Sequence, residues 1–335
     1  MQKIATWNDG HGEAVLSLDI NSSGILASGG EDRLSVWTSE GVPMTKISPP
    51  IKESSEVTSV CFCRRNENRL FVSSVNKVFH YDLRSLDSPV SEFHFNEDEI
   101  NQLVIHDGGQ YLAACDDTGA IKVIDTRQNK LFKTLSRGHG NICSTVQFRP
   151  QRPWDLVTGG MDYKVVYWDF SSGRVLQDED MQKGVESGAY FVNPPFVHSL
   201  HVKEDSRNVA AGLGDGSIQL FHFEGRKKLI VDQKIKGHTQ GVSQVHFPKF
   251  KPSENILISG GNDEKLILWN FKLNDGQKTT GNDASVLDHE VNPFESSNCT
   301  IQHGSKVNWI VSHSEQKNLV FVADQTNQIA VYEVL

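Results

Sequence analysis

The sequence predicts an all-β protein made of one short strand motif that recurs along the chain. In the stretch from Gly237 to Asn270, three β-type runs are separated by Gly, Asn and Asp turn signals, a pattern typical of antiparallel strands joined by tight turns. An alternating apolar run of the same kind recurs seven times, ending at Trp37, Tyr81, Ile124, Trp168, Phe221, Trp269 and Tyr332. Successive ends lie 43 to 63 residues apart. A period of this size is typical of repeat folds, in which each repeat is one supersecondary unit.

The two ends of the motif indicate the kind of repeat. The stretch begins with Gly237-His238 and ends with Trp269-Asn270, and these pairs resemble the Gly-His and Trp-Asp pairs of the WD40 repeat. In the WD40 family, each repeat is one four-stranded blade of a β-propeller. The resemblance therefore implies an all-β, seven-bladed WD40 β-propeller.

The resemblance also implies buried hydrogen-bonded tetrads. In WD40 blades a His, a strand Ser or Thr, a turn Asp and the Trp indole form one set, and such burial is tolerable only if every member finds a partner. Three blades contain all four members: His11, Ser28, Asp32 and Trp37; His139, Thr158, Asp162 and Trp168; His238, Ser259, Asp263 and Trp269. In other blades Ala114 and Ala211 replace the Ser, and Ile124 and Phe221 replace the Trp. We expect apolar packing to hold those blades.

The first residues are expected to close the ring. The segment 3–7 precedes the first Gly-His pair and cannot belong to the inner strands of blade one. In WD40 proteins such a segment supplies the outer strand of the last blade, which here would be built from residues 318–322 and 328–334. Closure would remove exposed sheet edges that invite aggregation. We expect one domain over residues 1–335.

Two loop insertions interrupt the repeat, at about residues 177–195 and 273–298. The second is polar and is expected to be mobile. Each insertion is either a tolerated surface loop or a partner-binding loop.

Composition limits the partners and the compartment. The chain has 33 basic and 42 acidic residues, a net charge of −9, and no dense Lys/Arg tract, which argues against nucleic-acid binding. No apolar run approaches the ~20 residues needed to span a membrane, and no segment resembles a signal peptide. We therefore expect a cytoplasmic or nuclear protein, monomeric by itself, with no membrane partner.

The polar residues do not form a recognisable active site. Of the 13 histidines, His11, His139, His238 and His303 occupy the blade-start position, so the repeat itself explains them. The five cysteines form no CxxC pair and have no matching His pair, which argues against a metal site. Neither a nucleophile elbow nor a phosphate-binding Gly loop is present. We expect no catalytic residues, no metal and no cofactor.

One feature exceeds the generic repeat. The sequences from Tyr81 to Arg84 and from Ile124 to Arg127 close consecutive blades with the pattern Asp-x-Arg. They resemble the WDxR box of the substrate receptors of cullin-4 ubiquitin ligases, which dock on the adaptor called damaged-DNA-binding protein 1. The first position is Tyr and Ile rather than Trp.

This second resemblance implies that the box residues bind the adaptor. Those residues are Asp82, Arg84, Asp125 and Arg127. Each pair falls just after a third strand, on one rim of the ring, where an Arg can present its planar fork to an acidic or carbonyl-rich partner. The alternative is structural: Asp-x-Arg is a common strand end, and each Arg then pairs with its neighbour.

The functional hypothesis is a non-enzymatic protein-interaction scaffold whose partners are proteins. Its sharper form is a cullin-4 substrate receptor that binds the adaptor and an unknown client. The alternative is a reader of a peptide or modified tail at the central channel. Reading a modified Lys would need clustered aromatics at the channel mouth, for which Tyr163 and Trp309 are candidates.

Overall fold

The computed structural model describes residues 1–51, 54–183, 193–225, 227–250, 255–270, 298–313 and 317–335. These residues form seven four-stranded antiparallel sheets, and the described ranges contain no helix. The inner strands of consecutive sheets contact one another, and the inner strand of the last sheet contacts that of the first. The predicted all-β, seven-bladed WD40 propeller is therefore confirmed.

The strands are numbered in chain order. Blade one contains β2 (Val15–Ile20), β3 (Leu26–Gly30), β4 (Leu34–Trp37) and β5 (Pro43–Ile47). Blade two contains β6 (Ser59–Phe62), β7 (Arg69–Ser74), β8 (Lys77–Asp82) and β9 (Ser91–Phe93). Blade three contains β10 (Ile100–Ile105), β11 (Tyr111–Asp116), β12 (Ile121–Asp125) and β13 (Lys130–Leu135). Blade four contains β14 (Cys143–Phe148), β15 (Asp155–Gly160), β16 (Lys164–Asp169) and β17 (Arg174–Asp180).

The remaining blades follow the same order. Blade five contains β18 (Val197–Val202), β19 (Asn208–Leu213), β20 (Ser217–Glu224) and β21 (Lys228–Lys236). Blade six contains β22 (Val242–His246), β23 (Ile256–Gly261), β24 (Lys265–Asn270) and β25 (Cys299–Gln302). Blade seven contains β26 (Val307–Ser312), β27 (Leu319–Asp324), β28 (Ile329–Glu333) and the N-terminal strand β1 (Gln2–Trp7).

The N-terminal strand closes the ring, as predicted. β1 is hydrogen-bonded to β28 in antiparallel register, with Trp7 opposite Ile329, and β28 separates it from β27. Trp7 is buried, and its ring centroid lies 5.0 Å from that of Phe321 and 5.8 Å from that of Trp37. The closing strand is thus held by packing against blade one as well as by its own sheet.

The hydrophobic core lies between blades rather than within them. One cluster of buried residues combines Trp37 and Leu18 of blade one with Phe321 of blade seven. Another combines Val123 of blade three with Trp168 of blade four. Because each sheet packs both faces against its neighbours, its two central strands are buried over most of their length, and cohesion depends on a complete ring.

Polar side chains on the inner strands join neighbouring blades at most seams. The Thr58 hydroxyl donates to the carbonyl of Ile100 over 2.6 Å, and the Asn308 amide donates to the carbonyl of Val15 over 2.9 Å. The equivalent residue of blade one is Leu16, whose side chain has no hydrogen-bond donor. The seam between blades one and two uses other bonds, from Phe62 N–H to Asp19 Oδ2 over 2.7 Å and from Val57 N–H to Gly30 O over 2.9 Å.

About half of the first predicted insertion, and nearly all of the second, fall outside the described residues. Residues 184–192 and 271–297 are not described. The first insertion was predicted to begin near residue 177, but residues 174–180 form β17, which pairs with β16. The regular pairing of β17 with β16 extends three residues past that boundary: Gln177 lies opposite Tyr167, and Asp180 lies opposite Lys164.

Candidate protein-docking site

The blade-six tetrad is a continuous hydrogen-bonded chain. The Trp269 indole N–H donates to Ser259 Oγ over 2.8 Å. Ser259 Oγ lies 2.7 Å from His238 Nε2, and His238 Nδ1 lies 2.8 Å from Asp263 Oδ1. The indole can only donate and the carboxylate can only accept. We therefore assign a hydrogen bond from the Ser259 hydroxyl to His238 Nε2 and one from His238 Nδ1–H to Asp263 Oδ1. Every polar atom along this path has a partner, which makes the burial tolerable.

Burial keeps the tetrad imidazole neutral. Burial lowers the pKa of His238, and the hydrogen bond to Asp263 only partly opposes the shift. Burial raises the pKa of Asp263, but the hydrogen bonds from His238 and from the Thr239 N–H outweigh it, so the net direction is down. The close fit also explains a glycine, because a Cβ at Gly261 would lie 2.5 Å from His238 Nδ1.

The structure brings together the members of the other two predicted tetrads in the same way. In blade one the His11–Asp32, His11–Ser28 and Trp37–Ser28 distances are 2.9, 2.6 and 2.8 Å. In blade four the His139–Asp162, His139–Thr158 and Trp168–Thr158 distances are 2.9, 2.7 and 2.8 Å. The three sets therefore act as buried structural links, and none presents a reactive group to a cleft.

Blade seven has a different polar set, which the sequence reasoning missed. His303 Nδ1 lies 2.7 Å from the Tyr332 hydroxyl, and His303 Nε2 lies 2.8 Å from Asp324 Oδ2. Asp324 pairs with Val307, the ladder position that Gly261 occupies opposite Val242 in blade six. The visible signals were His303 at the blade-start position and Tyr332 at the end of the repeat. The aspartate was missed because it stands where the repeat has glycine.

The two Asp-x-Arg boxes lie on one rim of the propeller. Asp82 is the last residue of β8 and pairs with Arg69, and Asp125 is the last residue of β12 and pairs with Tyr111. Because every blade has the same strand order, the turns after third strands and the hairpins after first strands lie at the same end of the ring. We call this end the docking rim.

The blade-two box is closed on itself. Arg84 Nε and Nη2 donate to the two carboxylate oxygens of Asp82 over 2.9 and 2.6 Å, and the Arg84 backbone N–H donates to Oδ1 over 3.0 Å. The side-chain hydrogen bond from Arg84 is the main reason that the pKa of Asp82 lies well below its usual range. The Arg84 side chain is still 73% exposed, so this ion pair is one that a partner can replace at little cost.

The blade-three box has a different geometry. Asp125 Oδ1 accepts from the backbone N–H groups of Arg127 and Gln128 over 2.9 and 3.0 Å, and Oδ2 accepts from Gln110 Nε2 over 2.9 Å. The carboxylate is therefore occupied by its own turn and by the neighbouring strand. Arg127 is exposed, and its guanidinium has no hydrogen bond or ion pair with any residue that the structure describes. One arginine is paired and the other is available.

The central channel contains a cavity of about 640 Å³ that is lined by the inner strands of several blades. An ion pair crosses part of it, since Arg64 Nη2 of blade two lies 2.9 Å from Glu204 Oε1 of blade five. Trp309 lines this cavity, whereas Tyr163 stacks on Phe196 elsewhere, with ring centroids 5.0 Å apart. The two aromatic candidates for a lysine cage therefore do not converge on it.

Two features are absent from the described residues. No helix among them is long and apolar enough to cross a membrane. Within the same ranges, no group of three or more His, Cys, Asp or Glu side chains is placed to hold a metal ion.

Two family models match the sequence. The model described as WD domain, G-beta repeat matches residues 87–125 and 129–169. The model described as tRNA methyltransferase TRM82 WD40 domain matches residues 225–335. The matches fall on blades two to four and five to seven, so WD40 repeats are recognised in both halves of the ring.

Curated relatives are consistent with these matches. The WD repeat-containing protein 53 homolog of Dictyostelium discoideum is 30% identical over 348 residues, which cover 97% of this chain and 93% of the relative. Histone acetyltransferase type B subunit 2 of Debaryomyces hansenii is 27% identical, covering 50% of this chain and 44% of the relative. Pre-mRNA-processing factor 17 of Homo sapiens is 25% identical, with coverages of 49% and 34%. The chain therefore belongs to the WD40-repeat proteins and, among them, to the WD repeat-containing protein 53 family.

Proposed function

We propose that this WD40 propeller, a protein-interaction scaffold by family, is a substrate receptor that docks on the damaged-DNA-binding-protein-1 adaptor of a cullin-4 ubiquitin ligase. The observation that carries the proposal is the exposure of Arg84 and Arg127 on the docking rim of adjacent blades. We also propose a cytoplasmic or nuclear location, where such a ligase works. The client protein would bind a different surface of the ring.

The geometry supports the two arginines as contacts rather than as structural members. Neither guanidinium reaches a second strand or blade among the described residues, because Arg84 bonds only to Asp82 and Arg127 to no side chain. An exposed Arg contributes little to folding, so its removal should be neutral for stability. A planar fork held out from a turn can instead bind carboxylate or carbonyl oxygens of a partner in a bidentate manner.

The test is a pull-down of the purified adaptor by the full chain carrying Arg84→Glu together with Arg127→Glu. Reversing two charges at a desolvated contact costs several kcal/mol of binding, so we expect binding to fall by at least about 100-fold. The melting temperature should stay within about 1 °C because both side chains are exposed.

A matched control separates this contact from a general effect of charge. The variant Arg137→Glu with Lys236→Glu changes the net charge by the same amount. Arg137 follows the fourth strand of blade three and Lys236 ends the fourth strand of blade five, so both exposed residues lie at the opposite rim. It should bind the adaptor normally. Equal binding by wild type and the Arg84/Arg127 variant would exclude the proposal, and so would loss of binding accompanied by unfolding.

A further inference from the structure

An aromatic cluster lies on the docking rim where blades three and four meet. Tyr111 begins β11 and Phe132 lies in β13, whereas Trp154 precedes β15 and Phe170 follows β16. The Tyr111 centroid lies 4.8 Å from that of Phe132 and 5.7 Å from that of Trp154. The Trp154 centroid lies 5.4 Å from that of Phe170. Rings from two blades therefore form one continuous group, which we call the aromatic patch.

The outer face of the aromatic patch is open. Phe170 is fully buried and Tyr111 and Phe132 are half-buried, whereas Trp154 keeps 39% of its surface exposed. Among the Trp, Tyr and Phe side chains that the structure describes, Trp154 is the most exposed. Its ring is nearly parallel to that of Phe132, at 15°, and its carbonyl accepts from Phe170 N over 2.9 Å. The patch therefore presents a preorganised indole to solvent.

Unpaired cations border the aromatic patch. Tyr111 pairs with Asp125, and Asp125 also pairs with Lys130 on the other side and binds the backbone of Arg127. Arg127 and Lys130 are both exposed, and neither forms an ion pair with a described residue. The carboxylate between them is engaged by Gln110 and by two backbone N–H groups. Arg127 and Lys130 thus offer two unpaired cations beside the aromatic patch, in a chain whose net charge is −9.

We propose that the aromatic patch is the main anchor for the adaptor, which would seat an apolar side chain on Trp154 and pair carboxylates with Arg127 and Lys130. This inference rests on the proposed function, because it assigns the same partner. Tryptophan and arginine at the centre of an interface carry a disproportionate share of binding energy, and half-exposed Trp beside unpaired Arg has that composition. A second copy of this chain is the wrong occupant, since a two-fold contact would bring identical cations together.

The proposal predicts that Arg127 of blade three contributes more to adaptor binding than Arg84 of blade two. Arg84 must give up its two bonds to Asp82 before it can bind a partner, whereas Arg127 has no such bonds to break. Arg127 also lies next to the aromatic patch and Arg84 does not, because Arg84 belongs to blade two. Arg127→Glu alone should therefore weaken binding at least about 10-fold more than Arg84→Glu alone.

The test measures binding of the full chain to the purified adaptor by biolayer interferometry. Trp154→Ser should weaken binding at least about 30-fold, and Trp154→Phe, which keeps an aromatic face, no more than about 5-fold. Lys130→Glu should weaken it about 10-fold without touching the ring packing. The control is Val231→Ser, a side chain of similar exposure, 45%, on the outer strand of blade five, which should bind as wild type.

A second readout detects contact at the indole itself. With 5-fluorotryptophan incorporated, the 19F resonance of Trp154, assigned from its absence in Trp154→Phe, should shift or broaden when the adaptor is added. The resonance of buried Trp37 should keep its chemical shift. This readout does not depend on Trp154→Ser remaining folded.

The outcomes separate the two proposals. If the wild-type protein does not bind the adaptor, the proposed function is wrong, and so is the assignment of the aromatic patch as its anchor. If wild type binds, and both Trp154→Ser and Lys130→Glu bind equally well, the anchor is wrong while the proposed function stands. An unshifted Trp154 resonance in the saturated complex would overturn the anchor in the same way.

Discussion

Replacing Trp269 by Ala would test whether the blade-six tetrad stabilises the ring. Trp269 is buried, packs with Leu257 and Ile267, and donates its indole N–H to Ser259. The ring also fills the space above Gly237, where an added Cβ would lie 2.5 Å from an indole carbon. The substitution therefore removes apolar packing and a buried hydrogen bond at once.

The expected cost follows from these contacts. Truncating a buried Trp to Ala typically costs ~3–5 kcal/mol, and a lost neutral hydrogen bond accounts for ~1 kcal/mol of such a change. Trp269→Phe should retain most of the packing and lose the hydrogen bond, at a cost of about 1–2 kcal/mol. For a chain of this length, 1 kcal/mol corresponds to roughly 1.5 °C of melting temperature, so a cost of ~3–5 kcal/mol should make Trp269→Ala melt ~4–8 °C lower.

The assay is thermal and urea denaturation followed by circular dichroism, extended to a double-mutant cycle with Gly237→Ala. Alone, Gly237→Ala should destabilise because its methyl group overlaps the indole. In the Trp269→Ala background the overlap is gone, so the second substitution should cost at least ~1 kcal/mol less. An unchanged melting temperature for Trp269→Ala, or strict additivity in the cycle, would refute the reasoning.

Two further predictions concern closure and pH. Deleting residues 1–8 should expose the edge of β28 and remove the buried Trp7, so the protein should melt lower and aggregate on size-exclusion chromatography; a monomer with unchanged melting would contradict this. Burial lowers the pKa of His201 to about 3, and burial followed by the nearby Arg69 charge lowers that of His80 to about 4. The unfolded chain therefore binds more protons below pH 6.5, and stability should fall by up to ~1.4 kcal/mol per pH unit for each such histidine as pH drops from 6.5 toward 4. Melting temperatures from pH 7.5 to 4.5 would check this, and a flat profile would argue against neutral buried histidines.

Much of the fold could be predicted because its chemistry repeats. The same alternating apolar run precedes each repeat end at a similar spacing, so even blades without a tetrad could be counted. Blade three, for example, has Ile124 at the Trp position and Ala114 at the Ser position, and both are fully buried. Closure could also be predicted, since a strand that precedes the first blade can pair with the free outer edge of the last blade.

The candidate site could be predicted only in part, because its decisive contacts depend on side-chain partners that the box pattern does not specify. Whether the arginine of each box is free depends on what else binds the aspartate. In blade three Gln110 occupies Asp125, whereas in blade two Arg84 itself occupies Asp82. The aromatic patch likewise joins Tyr111 to Trp154 across two blades, a meeting that no local pattern of the sequence indicates.

The closing sheet makes the order of synthesis matter. β1 (Gln2–Trp7) is synthesised before the other three strands of its sheet, and its partner β28 begins only at Ile329, so the two cannot pair until the intervening residues have been made. At ~5–20 residues per second, β1 waits roughly 17 to 67 s without its sheet. Its first four residues, which include Lys3, are exposed in the folded ring. Lys3, the one charged side chain of β1, makes the strand a poorer template for neighbouring nascent chains on the same polysome, and this limits misassembly during the wait.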